Sequence, residues 1–208
     1  MLERPELGAV ILAAGDSTRF QPGPKALPPP RGADLLARSV AALALAGLER
    51  PTVVANPGQP AVIRLAGDLG CRVIVNPDPG RGMFSSVRLA FAGAGGESVL
   101  VLPVDAGLVS ADSILSVAAR FMELGWEGRG LAVLPAQGGR LGHPPAIGRD
   151  LLGTLASYGG PGGLRGAMAG LAGSREEAGA VLGARLPAAG QAGQGSRLRF
   201  LSLDDPMV

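Results

Sequence analysis

The 208 residues predict an α/β fold of three layers, with helices on both faces of a mostly parallel central sheet. Two observations carry this. Short apolar runs alternate with helical apolar stripes over the first 135 residues, a pattern that calls for right-handed strand–helix–strand crossovers. One of those runs, Ser98–Leu102, is continuously apolar, as a strand buried on both faces must be. The length suits one domain with a substantial core. With no internal repeat and no interdomain linker visible, the chain reads as a single domain over 1–208.

The elements follow in order. Ala9–Leu12 reads as a first buried strand. Asp34 is placed to cap a helix over Leu35–Leu48, whose stripe is Leu35, Leu36, Val40 and Leu43 and whose end is marked by Gly47. Thr52–Ala55 is a second strand. Pro60 opens a helix over Ala61–Leu69 that Gly70 stops. Arg72–Val75 is a third strand, and the turn residues Asn76-Pro77-Asp78-Pro79-Gly80 lead into a helix over Met83–Phe91. Ser98–Leu102 is the fourth strand, Ser110 caps a helix reaching about Leu124, and Gly130–Leu134 is the fifth strand. Beyond that the pattern thins. It predicts a loop over Gln137–Pro145, helices over Arg149–Ser157, Leu164–Leu171 and Arg175–Leu182, an irregular Leu186–Ser196, and a last strand over Leu198–Leu203.

The connection after the first strand is the informative one. No helix starts between Leu12 and Asp34, roughly twenty residues where about 2–6 is usual, so a function is expected there. Ala13, Ala14 and Gly15 are small enough for backbone N–H groups to approach a ligand closely. Ser17 and Thr18 add hydroxyl donors, and Arg19 and Lys25 add two positive charges with only Asp16 nearby to oppose them. Such a loop suits a polyphosphate. It is not a P-loop, which needs Gly-Lys-Ser/Thr, nor a dinucleotide fingerprint, which needs G-x-G-x-x-G. In open α/β sheets, ligands sit outside the carboxyl ends of the strands. Two further features fall at that edge: the Asn76–Ser86 segment and Asp105. Asp105 is placed either as a magnesium ligand or as a turn-capping aspartate, and Asn76 and Ser85 either as ligand donors or as caps of the helix behind them.

The run Leu12-Ala13-Ala14-Gly15-Asp16-Ser17-Thr18-Arg19-Phe20 with Lys25 resembles the signature of nucleotidyltransferases with a molybdopterin-guanylyltransferase-like fold. That resemblance implies a Rossmann-like, GT-A-like fold and a Mg²⁺-dependent transfer of a nucleoside monophosphate, with release of pyrophosphate. It implies that Leu12, Ala13, Ala14, Gly15, Ser17, Arg19, Lys25, Asn76 and Ser85 bind the nucleotide. It gives Arg19, Lys25 and Asp105 to catalysis, and Asp105 to the metal. Leu102-Pro103-Val104-Asp105 is similar to the family's Pro-x-Asp metal motif, though Ala106-Gly107-Leu108-Val109 stands where the family carries Pro-Leu-Val. Asn76-Pro77 with Gly82-Met83 and Ser85-Ser86 resembles the molybdenum cofactor cytidylyltransferase branch. So does Gly142-His143-Pro144, where His143 is expected to shape or contact the acceptor pocket or to be a satisfied loop histidine. Gly163-Leu164-Arg165 is similar to that branch's later Gly-x-Arg.

The branch implies CTP as favoured triphosphate and molybdopterin as the phosphorylated acceptor. A sugar phosphate is the nearest alternative acceptor, and a nucleotide-binding regulatory protein without turnover is the alternative class. Within the family, Ala14 separates the cytidylyl pattern Leu-Ala-Ala-Gly from the guanylyl Leu-Ala-Gly-Gly, and its methyl is expected to take space beside the base. Leu203-Asp204-Asp205-Pro206 resembles the strand before the family's Asp-x-Asp-Thr-Pro-x-Asp segment, and the sequence stops at Val208, ahead of that segment.

Composition limits the other possibilities. Hydrophobic residues are 47% and charged residues 17%, which argues against disorder despite 34 glycines and 18 prolines. The net charge of +2 is scattered, with no basic block and no aromatic array, so nucleic acid is not an expected partner. Cys71 is the only cysteine and His143 the only histidine, which excludes an internal disulfide and a multi-histidine metal centre. Glu3 and Glu6 before a short apolar run do not make a signal peptide, and no run approaches the ~18 apolar residues of a membrane span. A cytoplasmic protein without a membrane partner is the expectation.

Overall fold

The computed structural model describes residues 6–15, 35–94, 97–106, 108–124, 131–137, 140–171 and 198–202. Strand β1 (Leu7–Ala13) leads the chain. Helix α1 (Leu35–Leu45), β2 (Thr52–Ala55), α2 (Pro60–Asp68) and β3 (Arg72–Val75) follow. A 3-10 turn over Pro79–Arg81 precedes α3 (Met83–Gly93) and β4 (Ser98–Pro103). A second 3-10 turn, Val104–Ala106, precedes α4 (Ala111–Leu124). Then come β5 (Ala132–Gln137), β6 (Arg140–Leu141), β7 (Ala146–Ile147), α5 (Arg149–Ser157), α6 (Gly163–Leu171) and β8 (Leu198–Ser202).

The eight strands form one sheet in the order β3-β2-β1-β4-β7-β5-β6, and β8 also pairs with β5. Pairings β1–β2, β1–β4, β2–β3 and β5–β8 are parallel. The pairings of β7 with β4 and β5, and of β6 with β5, are antiparallel. The mostly parallel three-layer α/β/α fold expected from the sequence is therefore the one observed, with two short reversed strands, β6 and β7, in it.

Alternation along the strands sorts the core into two halves. Ala9, Ile11 and Ala13 of β1 join Val53, Leu100 and Leu102 on one face, beneath Leu36 and Leu43 of α1, Val62 of α2 and Val117 and Phe121 of α4. Val10, Leu12 and Ala14 join Val54, Val99 and Val101 on the other, beneath Val87 and Phe91 of α3, Leu151 and Leu155 of α5 and Met168 of α6. Every β4 residue is buried, as its unbroken apolar run requires.

Several boundaries differ from the sequence reading. Helix α1 ends at Leu45, and Gly47, at φ +79°, turns the chain in the left-handed region that glycine adopts without strain. Helix α3 runs two residues past Phe91. The expected loop over Gln137–Pro145 contains β6, and β7 lies just beyond it. Asp34 and the helix expected over Arg175–Leu182 lie outside the described residues.

Candidate active site

Register assembles the site. Parallel pairing sets Leu12 of β1 opposite Pro103 of β4, Ala13 opposite Ala55 of β2, and Ala55 opposite Val75 of β3. Neighbouring strands lie about 4.8 Å apart, so the residues that follow share one row at the carboxyl edge: Ala14 and Gly15, Asn56, Asn76, and the Val104–Ala106 turn with Asp105. Asn76 extends the ladder, donating its backbone N–H to the Ala55 carbonyl at 2.8 Å.

Leu12, Ala13 and Ala14 are buried, and Gly15 is exposed where the strand runs out. Ala14 is 4% exposed and its methyl lies in the core half beneath α3. Ala14 belongs to the same apolar cluster as Leu12 and Val54, so the part of it that the structure leaves to the edge is its backbone. Ser17, Arg19 and Lys25 lie outside the described residues.

Asn76 is 1% exposed, and its side chain is fully engaged. Its amide donates to Ser85 Oγ at 2.8 Å and to Ser86 Oγ at 2.9 Å, while its Oδ1 accepts from the Asp78 N–H at 3.0 Å. Ser85 Oγ in turn lies 2.8 Å from the Gly82 carbonyl, to which it donates. Gly82, at φ +88°, makes the turn into α3 that a side chain would resist. Together these bonds lash the Asn76–Ser86 segment to the first turn of α3. As placed, Asn76 builds the segment from inside, and Ser85 sits at its half-buried rim.

Asp105 is exposed at the end of buried β4. His143 comes to it from the β6–β7 connection, an association that the spacing of 38 residues does not announce. His143 is exposed to solvent. Burial lowers its pKa below the ordinary histidine value, and the Asp105 carboxylate partly offsets this by raising it.

Mg²⁺ is commonly held by one or two carboxylates plus substrate phosphates. Among the described residues no three His, Cys, Asp or Glu side chains gather to hold a metal. Asp105 at the strand end fits that sparse donor set. Cys71, half-buried just before β3, has its thiol pKa raised by burial and lies outside the row.

Two residues of this edge have no sequence signal behind them. Asn56 Nδ2 donates to the Ala14 carbonyl at 3.4 Å, and Gln59 Nε2 donates to the Gly15 carbonyl at 2.9 Å. Their surroundings, Asn56-Pro57-Gly58-Gln59, read as ordinary turn chemistry.

Among the described residues no helix is long and apolar enough to cross a membrane. Comparison with curated proteins gave no significant match. Among solved structures, Rv0371c of Mycobacterium tuberculosis H37Rv superposes with a TM-score of 0.66 at 20% identity, covering 97% of this chain and 90% of that one. The same mycobacterial protein has also been solved in complex with manganese. A nucleotidyl transferase from Methanothermobacter superposes with a TM-score of 0.62 at 25% identity, covering 76% of this chain and 78% of that one. A CMP:2-keto-3-deoxy-manno-octonic acid synthetase complexed with CTP gives 0.65 at 12% identity, covering 95% and 90%. At 20% and 12% identity the first and last of these show a shared fold. A profile of the MobA-like NTP transferase domain matches residues 9–178, well over half of the chain, and so the protein belongs to the MobA-like NTP transferase family.

Proposed function

We propose that this nucleotidyltransferase-family protein, acting as a single domain, moves a nucleoside monophosphate from a triphosphate, with CTP favoured, to a phosphorylated acceptor of the molybdopterin type. The observation that carries the reading is the β1–β4 register, which sets the small-residue mouth of the nucleotide loop beside Asp105. A triphosphate lying along Leu12–Lys25 has backbone N–H groups near Gly15, and Arg19 and Lys25 to oppose its charge. The manganese complex of Rv0371c supports a divalent ion in the fold. Asp105 would hold Mg²⁺ here, and a bound ion would supply charge neutralisation on the phosphates.

The acceptor phosphate oxygen attacks the α-phosphorus in line. Its P–O bond forms as the bond to the β-phosphate oxygen breaks, and pyrophosphate departs with the electron pair. An acceptor already ionised needs no protein base, so the chain's task is positioning and electrostatics. Arg19 and Lys25 meet the charge that grows on the leaving group, and His143, which feels the charge of Asp105, borders the acceptor side. CTP over GTP rests on the cytidylyltransferase-like motifs, since the Ala14 methyl is in the core.

Pyrophosphate release from a panel of CTP, GTP and ATP with molybdopterin or sugar-phosphate acceptors tests the reading. Turnover is expected with CTP and molybdopterin, dependent on divalent ion, and lost in Asp105→Asn with the fold intact by circular dichroism. Asp105→Asn with undiminished, metal-dependent turnover would remove Asp105 from the metal site. Triphosphate binding without turnover on any acceptor would make the protein a nucleotide sensor.

A further inference from the structure

The β2–α2 connection holds the end of β1 by two consecutive carbonyls, Ala14 through Asn56 and Gly15 through Gln59. Asn56 is itself fixed: it is buried, and its Oδ1 accepts the Gly58 N–H at 2.8 Å. Gln59 is different. Its Oε1 is buried and has no hydrogen-bond partner among the described residues. Burying an amide half satisfied is unfavourable, and native structures rarely do it without a reason. Turning the amide over does not relieve it, because Oε1 would then face the Gly15 carbonyl oxygen, acceptor against acceptor. The side chain leaves its own acceptor unmet while holding one glycine carbonyl.

Peptide geometry separates the two holds: the Asn56 bond sets the Ala14–Gly15 peptide, and the Gln59 bond sets the carbonyl side of Gly15. In a planar trans peptide the N–H points opposite to the preceding C=O. With the Ala14 carbonyl drawn toward the β2–α2 turn, the Gly15 N–H is directed away from it. Gly15 is exposed, and a methyl built on it would meet nothing within 4 Å, so space for a ligand is open there. Glycine at a strand end has wide rotational freedom, and a tether on its carbonyl removes that freedom before any ligand arrives.

We propose that Gln59 is a positioning residue for the nucleotide, holding the Gly15 carbonyl so that the glycine at the mouth of the loop keeps one conformation when the triphosphate binds. The proposal rests on the nucleotidyl-transfer reading above. Gln59→Met keeps the length and removes both the donor and the unmet acceptor, so the unfolding midpoint in urea is expected to stay the same or rise. Calorimetric titration with CTP and Mg²⁺ is expected to show about tenfold weaker binding, the worth of one well-placed hydrogen bond. The order parameter of the Gly15 N–H, from ¹⁵N relaxation without nucleotide, is expected to fall from about 0.85 toward about 0.6 as the residue loses its tether. CTP binding at wild-type strength would overturn the proposal. Weaker binding with a matching loss of stability and an unchanged Gly15 order parameter would also overturn it, leaving Gln59 a structural residue. Wild-type protein that binds none of CTP, GTP and ATP would instead bring down the nucleotidyl-transfer reading, and this proposal with it.

Discussion

Replacing Asn76 with alanine tests whether that residue builds the site or binds in it. The side chain makes three hydrogen bonds, at 2.8 Å and 2.9 Å to Ser85 and Ser86 and at 3.0 Å from the Asp78 N–H. Each is worth about 1 kcal/mol net. Water can reach Asp78 after the change, but Ser86, only 4% exposed, keeps a buried hydroxyl with one partner fewer. The expected loss is about 3 kcal/mol. At roughly 2–4 °C per kcal/mol for a chain of this length, Tm should fall by about 6–12 °C. Urea and thermal unfolding of Asn76→Ala measure it, with Ser85→Ala as comparison. Ser85→Ala, which leaves Asn76 bonded to Ser86 and Asp78, should cost about 1 kcal/mol. An Asn76→Ala protein of wild-type stability that binds CTP poorly would refute the reasoning and make Asn76 a direct ligand contact.

Two further predictions rest on packing. Arg88 of α3 donates from Nε to the Ala156 carbonyl at 2.8 Å and from Nη2 to the Tyr158 carbonyl, with its guanidinium 4.8 Å from the centre of the Phe84 ring. Arg88→Met keeps the stem and loses both charge-assisted bonds, so it should cost about 2–4 kcal/mol in urea unfolding and speed proteolysis between Tyr158 and Gly163. Ala14→Gly should cost about 1–2 kcal/mol, from a buried methyl and extra backbone freedom, and leave the CTP-to-GTP binding ratio unchanged. A shift toward GTP in a competition titration would mean that the methyl does reach the base.

How far the sequence revealed this molecule depends on the range over which each feature is decided. The strands β1, β2 and β4 are runs of apolar residues long enough to declare themselves, because a strand covered on both faces has nowhere to place a polar side chain, while the edge strand β3 declares itself by its β-branched run Val73-Ile74-Val75. The loop after β1 declared itself by chemistry and length, and Asp105 by standing at the end of the most buried strand. The strand β7 could not be read. It is two residues, Ala146 and Ile147, behind Pro144-Pro145, and neither periodicity nor propensity operates over so short a span. Its place is won by pairing with strands that lie on either side of it, β4 at Val99 and Leu100 and β5 at Ala132 and Val133.

The same reasoning applies at the site. Ala14 was legible as a small residue beside a ligand loop, but which way its methyl points depends on strand parity, and parity is fixed only once Val10 and Leu12 have packed against α3 and α5. The tethers from Asn56 and Gln59 span 42 and 44 residues and leave no mark on the local pattern of either partner. His143 comes within electrostatic reach of Asp105 because β7 carries the chain back between β4 and β5. Local composition thus chose the edge at which chemistry can occur. The parallel register, and the reversed strand β7 within it, chose which side chains stand there.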